Sequence, residues 1–372
     1  MSGVPGPTTS LKNTLAPSAP RHCLVLYGGI SGERDISLAT GRAVAEALKD
    51  HFAVSTLDPA LGAQGWRPWP EQCPAPSFQS TENGFVKLCE SLMAVVQNPA
   101  FSPHDWIIFN ALHGSWGEDG RVQALLEILG IPFAGSDSAA SALAMDKQRS
   151  KLIVASQGIK TAPGLCVERW QFKSEYIDLF PWKLLQSLPD IGDSEMGKWI
   201  VKPNDQGSAL ATRICHGGDT PTMLESLKAV FDIAHTALIE RFIPGHELSV
   251  GILDQQSLPA IEIRPQCGIY DYQAKYLSDQ TQYYCPAPLL DAQRTQLQEW
   301  AIAAHRALGA RHYSRADFRL SPTGQLYFLE LNTLPGMSAN SLMPVAAKSA
   351  GMTLTDLCCS ILKSACVSLV KR

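Results

Sequence analysis

The sequence predicts an α/β protein: an open parallel sheet over about the first 135 residues, then a second unit of α+β character. Three observations carry this. Short apolar runs alternate with stretches of helical periodicity as far as Gly135, the pattern of strands joined by crossover helices. A fresh helix begins at Ser138 and leads into a new series of strands. Two strand patterns late in the chain, separated by a turn signature, read as an antiparallel hairpin. A length of 372 residues suits two or three domains with separate cores.

In order, HCLVLYGG from His22 is a short apolar run ending in glycines, as a buried parallel strand would be. A helix over Ser37–Leu48 is expected from Ile36, Leu38, Val44, Ala45 and Leu48. FAVSTLD and DWIIFNALHG read as further strands. VQALLEILG reads as a helix closed by Gly130, followed by the strand IPFAG. The stretch from Gly62 to Pro103 is expected to be an elaborated loop with one helix, Phe85–Val96. From Ser138 a single helix is expected through ALAMDKQRSKLIVASQG. After it come the strand KWIVKP, the loop NDQGSALA, the strands ALIERFIP, HELSVGIL and IEIRP, and a helix over Asp291–Leu308. Residues 1–20, rich in Pro, Ser, Gly and Thr, are expected to form a disordered tail; they lack the apolar segment of a signal peptide.

A formal net charge of −4 argues against a nucleic-acid surface, and no apolar run is long enough to cross a bilayer. The ten cysteines show no C-x-x-C spacing, so reduced thiols and a cytoplasmic location are expected.

The strongest local signal is HYSRADFRL-SPTG-QLYFLELN. Alternation puts Arg315 and Asp317 on one face of their strand, and Glu330 and Asn332 on one face of theirs. A two-residue loop pairs Asp317 with Glu330, a four-residue loop pairs Arg315 with Glu330, and either gathers all four on one surface. Tyr327, Leu329 and Leu331 are expected on the opposite face. Two carboxylates and a carboxamide oxygen are hard donors suited to Mg²⁺ shared with phosphates, and an adjacent guanidinium suits an oxyanion. The bland alternative is an exposed polar sheet face with a cross-strand ion pair. The following NTLPGMSANSL, with Gly336 open to close approach and Ser341 at a helix start, favours a site.

No Walker loop and no G-x-G-x-x-G fingerprint is present, so any nucleotide phosphates must be held otherwise. Candidate cations are Lys147, Lys202 and Lys275. Lys202 ends an apolar strand, where burial demands an anionic partner.

These residues lie in stretches that resemble the D-alanine–D-alanine ligase family of the ATP-grasp superfamily: GGISGERDISL, ALHGSWGEDGRVQALLEILGIPFAGS, SALAMDKQRSK, IVKPNDQGS, IERFIPGHE, YDYQAKYLSDQTQYYCPA, RADF and LELNTLPGMSANSL. The resemblance runs from about His22 to the C-terminal helix. It implies a Rossmann-like domain over 21–137, a central ATP-grasp lobe over 138–236 and a C-terminal lobe over 237–372 carrying metal and substrate sites. It implies ATP and two Mg²⁺ or Mn²⁺ ions, D-alanine as substrate, an acyl-phosphate intermediate, a dipeptide for peptidoglycan and a homodimer.

By the same resemblance, adenine lies against Glu240 and the backbone at Phe242 and Ile243, and Glu247 holds the ribose. Lys147, Lys202 and Lys275 meet phosphates, and Asp317, Glu330 and Asn332 bind the metals. Glu33 and His113 surround the first amino acid, and Glu33, Ser208 and Tyr276 form a hydrogen-bonded network. Arg315 and the Gly336 amide form the oxyanion site, and Ser341 with Leu342 receives the second carboxylate. Glu33 also suits a helix N-terminal charge, and His113 suits a satisfied buried histidine.

The chain departs from the family's G-S-S-V-G at Gly207-Ser208-Ala209-Leu210-Ala211, which strains Ala211 if its φ is positive. Asp35 and Ala316 are milder changes. The retained Tyr276 favours a dipeptide over a depsipeptide product. The departure keeps open two rivals: a paralogous ligase for other amino acids, and a non-catalytic nucleotide-binding paralogue. An NAD-dependent oxidoreductase ranks below both, since the dinucleotide fingerprint is incomplete.

Overall fold

The computed structural model describes residues 20–71, 83–172, 185, 187–188, 197–216, 219–265 and 281–370. The expected N-terminal tail, apart from Pro20, lies outside these residues, as do Lys275 and Tyr276.

The first sheet forms as its apolar runs require. Strands β1 (His22–Leu26), β2 (Ala53–Leu57), β4 (Trp106–Asn110) and β5 (Phe133–Ala134) are parallel and, with the edge strand β3 (Trp66–Pro68), lie in the order β3-β2-β1-β4-β5. Cys23 to Leu26 are fully buried, because both faces of β1 are covered. One face packs on helices α2 (Gly84–Gln97) and α3 (Arg121–Ile128). The other packs on α1 (Arg34–Leu48) and the C-terminal helix Leu354–Val370. Gly130 closes α3 as read: its φ is +64°, its N–H donates to Glu127 O, and that of Ile131 donates to Leu126 O.

The Gly62–Pro103 stretch holds more than a loop and a helix. A 3₁₀ turn over Pro59–Gly65 leads into an antiparallel edge strand, β3 (Trp66–Pro68), beside β2. The single helix expected from Ser138 is also corrected. It breaks at Asp146, giving α4 (Ser138–Met145) and α5 (Lys147–Ser156). Asp146 is extended (ψ 97°) and its carboxylate accepts from the Arg149 N–H, so a mid-sequence aspartate acts as the N-cap of a new helix. The break sets Lys147 on the first turn of α5.

Two antiparallel sheets follow. One runs β6-β9-β7-β8 and comprises β6 (Gly164–Glu168), β7 (Lys198–Pro203), β8 (Arg213–His216) and β9 (Thr236–Arg241). Its core packs on the helix Thr220–Phe231. The other runs β13-β12-β10-β14-β15, with β11 (Gln256–Ser257) beside β10 (His246–Leu253). Its remaining strands are β12 (Ile261–Arg264), β13 (Gln282–Tyr284), β14 (Tyr313–Leu320) and β15 (Leu326–Asn332). Helices α5 and Asp291–Ala307 back this sheet. The expected open sheets, parallel first and mixed with helices thereafter, are therefore present. β6, β8 and the helix Thr220–Phe231 were not among the elements read from the sequence. Among the described residues no single helix is long and apolar enough to cross a membrane.

Candidate active site

The β14–β15 hairpin adopts the register that pairs Asp317 with Glu330 and Arg315 with Asn332. The register then shifts at a bulge between Asp317 and Phe318, so Phe318 faces Phe328 and Arg319 faces Tyr327. This corrects the face assignment of two residues. Leu331 lies in the core as expected, but Tyr327 packs with Ala162 and Ile243, and Leu329 lines a cavity beside Glu330. The Arg315 guanidinium grips Asp317, donating from Nε to Oδ1 at 2.9 Å and from a terminal nitrogen to Oδ2 at 2.8 Å. Ser249 on β10, opposite Asp317, donates its hydroxyl to Oδ1 at 2.7 Å. Asn332 Oδ1 accepts from the Leu334 N–H at 2.7 Å, which fixes the carboxamide.

Above this hairpin, between the two antiparallel sheets, lies a cavity of about 110 Å³. Its walls include Lys147, Lys202, Glu240, Phe242, Ile243, Glu247 and Glu330. Lys147 Nζ donates to Gln206 O at 2.7 Å and lies 3.3 Å from Glu330. Lys202 finds the anionic partner its burial demands in Glu240, at 2.5 Å. Glu240 also accepts from Lys151, a residue the sequence reading passed over. Arg319 was passed over too. It is buried, donates to Ile243 O at 3.1 Å and reaches Glu247 at 3.5 Å.

Burial pushes the Glu240 carboxyl up, but the charges of Lys151 and Lys202 outweigh it and hold it near a pKa of about 2. A carboxyl below its ordinary value stabilises the fold above about pH 4.5 and loses that contribution as pH falls through about 2, here on the order of 3 kcal/mol. The stability gap between the native protein and Glu240→Gln, read by denaturant unfolding, should therefore narrow over that range. A gap constant across it would contradict the ion-pair account.

The loop roofing this cavity confirms the expected strain. Ala211 has φ +51°, and Ser208 and Ala209 are also left-handed at +56° and +51°. Each such alanine costs about 1 kcal/mol relative to the right-handed region. The Ala211 methyl packs partly on the core of the four-stranded sheet, which offsets some of this. Ala211→Gly should keep or raise ATP turnover, with a melting temperature unchanged within a few degrees. A large loss of turnover would show that the loop depends on the methyl.

A second, larger cavity of about 510 Å³ opens farther along the hairpin, toward Arg315 and Asn332, and shares Glu330 with the first. Glu33, His113, Ser208, Arg315, Gly336, Ser341 and Leu342 line it, together with Glu330 and Asn332. The Ser208 hydroxyl donates to Glu33, joining segments 175 residues apart. His113 is a satisfied buried histidine that also faces the cavity, with Nδ1 3.0 Å from Glu118 and Nε2 3.0 Å from the Thr40 hydroxyl. Glu118 and Thr40 were missed, because neither lies in an obvious chemical pattern. Ser341 holds the N-cap position of the helix Leu342–Ser349 without a side-chain capping bond, its hydroxyl 2.7 Å from that of Ser338. A side chain at position 336 would stand 2.8 Å from the Ser341 hydroxyl, so only glycine keeps that backbone open.

Among the described residues no three His, Cys, Asp or Glu converge as a self-sufficient metal cage. Asp317, Glu330 and Asn332 offer two carboxylates and an amide oxygen. That set fits Mg²⁺, which commonly completes its shell with substrate phosphates.

Known proteins resemble the chain along most of its length. The family model described as D-ala D-ala ligase N-terminus matches residues 22–136, and the one described as D-ala D-ala ligase C-terminus matches residues 195–363. Among solved structures, D-alanine–D-alanine ligase from Bacillus anthracis is 27% identical with a TM-score of 0.70, covering 95% of this chain and 99% of that one. The same enzyme complexed with ATP aligns at 24% identity and a TM-score of 0.69, with the same coverage. VanG D-Ala:D-Ser ligase from Enterococcus faecalis shares 23% identity with a TM-score of 0.72, covering 93% and 99%. The two likenesses under 25% identity speak to fold alone.

Proposed function

Because the chain belongs to the D-alanine–D-alanine ligase family, we propose that it joins two D-alanine molecules into a dipeptide while converting ATP to ADP and phosphate. The observation that carries this is the position of Glu330. It stands on the wall shared by both cavities, so a phosphate in one and a carboxylate in the other meet at this residue.

In the nucleotide cavity, Glu240 and the backbone at Phe242 and Ile243 receive the base, and Glu247 the ribose. Lys147, Lys202 and Lys275 neutralise the phosphates. Asp317, Glu330 and Asn332 are the residues that would hold two Mg²⁺ or Mn²⁺ ions, whose charge relieves repulsion between carboxylate and triphosphate. In the second cavity, Glu33 accepts the first substrate's ammonium, with Ser208 and Tyr276 fixing its orientation and His113 closing the pocket. A carboxylate oxygen of that substrate attacks the γ-phosphorus, and the bond to the β-phosphate oxygen breaks. The amine of the second D-alanine, its carboxylate held by Ser341 and the Leu342 N–H, then attacks the acyl carbon. Arg315 and the Gly336 N–H stabilise the oxyanion, and phosphate departs with the original carboxylate oxygen. All eight described cysteines are free thiols.

Phosphate release from ATP with Mg²⁺, measured across D- and L-amino acids and D-lactate with products weighed, tests this reading. Release with D-alanine alone and a D-alanyl-D-alanine mass are expected. A mixed product with D-serine or D-lactate would reassign the second substrate, and silence across the panel would overturn the ligase reading.

A further inference from the structure

Glu240, next to last in a strand of the four-stranded sheet, has both carboxylate oxygens engaged: Oε2 accepts from Lys151 Nζ, and Oε1 lies 2.5 Å from Lys202 Nζ. All three side chains are buried. The lysines are not equivalent. Lys202 and Glu240 line the nucleotide cavity, whereas Lys151, on α5, does not. Two ammonium groups and one carboxylate also leave a buried excess of one positive charge. Glu330 and Glu247 lie within electrostatic reach of it.

Buried charge clusters are weak stabilisers, so stability alone gives little reason for a second lysine on one carboxylate. A functional reason follows from the geometry. If Lys202 is to meet a phosphate, it must leave Glu240, and a buried carboxylate without a counter-ion resists that departure strongly. Resting on the nucleotide reading above, we propose that Lys151 is a positioning residue: it stays with Glu240 on the side away from the cavity and thereby frees Lys202 for the incoming phosphates. Nucleotide binding is then an exchange of ion pairs. Lys202 passes from carboxylate to phosphate, while Glu240 keeps one cation. Burial draws Lys151 down to a pKa of about 8 against the opposing charge of Glu240, consistent with a cation held by that one carboxylate.

Calorimetric binding of adenosine and of ADP separates this role from a structural one, because only ADP needs Lys202. Lys151→Met should weaken ADP by about tenfold, the share of molecules whose Lys202 stays locked on Glu240, and adenosine by less than about twofold. Equal weakening of both ligands, or none of ADP, would overturn the proposal. The pair Glu240→Gln and Lys151→Met/Glu240→Gln keeps the test decisive should the single variant fold poorly. With no carboxylate to neutralise, the two should bind ADP alike, and a further tenfold loss in the double variant would refute the proposal. If the native protein binds neither ligand, the nucleotide assignment itself fails and this inference with it; if it binds both, only the role of Lys151 is at stake.

Discussion

Glu330→Gln is expected to lower kcat by on the order of 10³-fold or more while leaving the fold intact. The amide keeps the volume of the side chain and its place opposite Asp317, but removes one of the two carboxylates in the donor set. Lys147 loses an ion-pair partner whose side chain is 29% exposed, so the structural cost is small, and Lys147 keeps its bond to Gln206 O. Circular dichroism and melting temperature near the native values, with phosphate release at background, would agree with the assignment. Near-normal turnover would remove Glu330 from the metal site and, with it, the link between the two cavities.

Arg315→Met carries the next largest effect, a fall in kcat of about 10²–10³-fold at saturating ATP. Two consequences coincide at this residue. The oxyanion of the second step loses its guanidinium donor, and Asp317 loses its paired bonds, leaving the Ser249 hydroxyl as its partner. The Mg²⁺ concentration needed for half-maximal activity should therefore also move. Turnover that survives this change would show that the oxyanion is stabilised elsewhere.

Much of this site was legible because its chemistry is local. Arg315, Asp317, Glu330 and Asn332 fall at alternating positions of two adjacent strands, and strand alternation alone gathers them. What escaped depends on contacts distant in sequence or on packing. The bulge after Asp317 inserts one residue into the pairing and turns Leu329 toward the nucleotide cavity, and nothing in LYFLELN announces it. Ser249 and Lys151 acquire their roles only through partners 68 and 89 residues away. The break at Asp146 was more accessible. The apolar periodicity continues across it and suggests one helix, yet an aspartate three residues before Arg149 is a capping signal in its own right. The strain at Ala211 was anticipated because the resemblance places a glycine there, and its φ of +51° lies in the left-handed region that favours glycine.

The central claim is that a D-alanine carboxylate oxygen attacks the γ-phosphate across the wall where Glu330 stands. Labelling both carboxylate oxygens of D-alanine with ¹⁸O and weighing the released phosphate tests it directly. One labelled oxygen in each phosphate formed, with ADP unlabelled, is the expected result. Phosphate free of label, or label appearing in a nucleotide, would contradict an acyl phosphate and the account built on the two joined cavities.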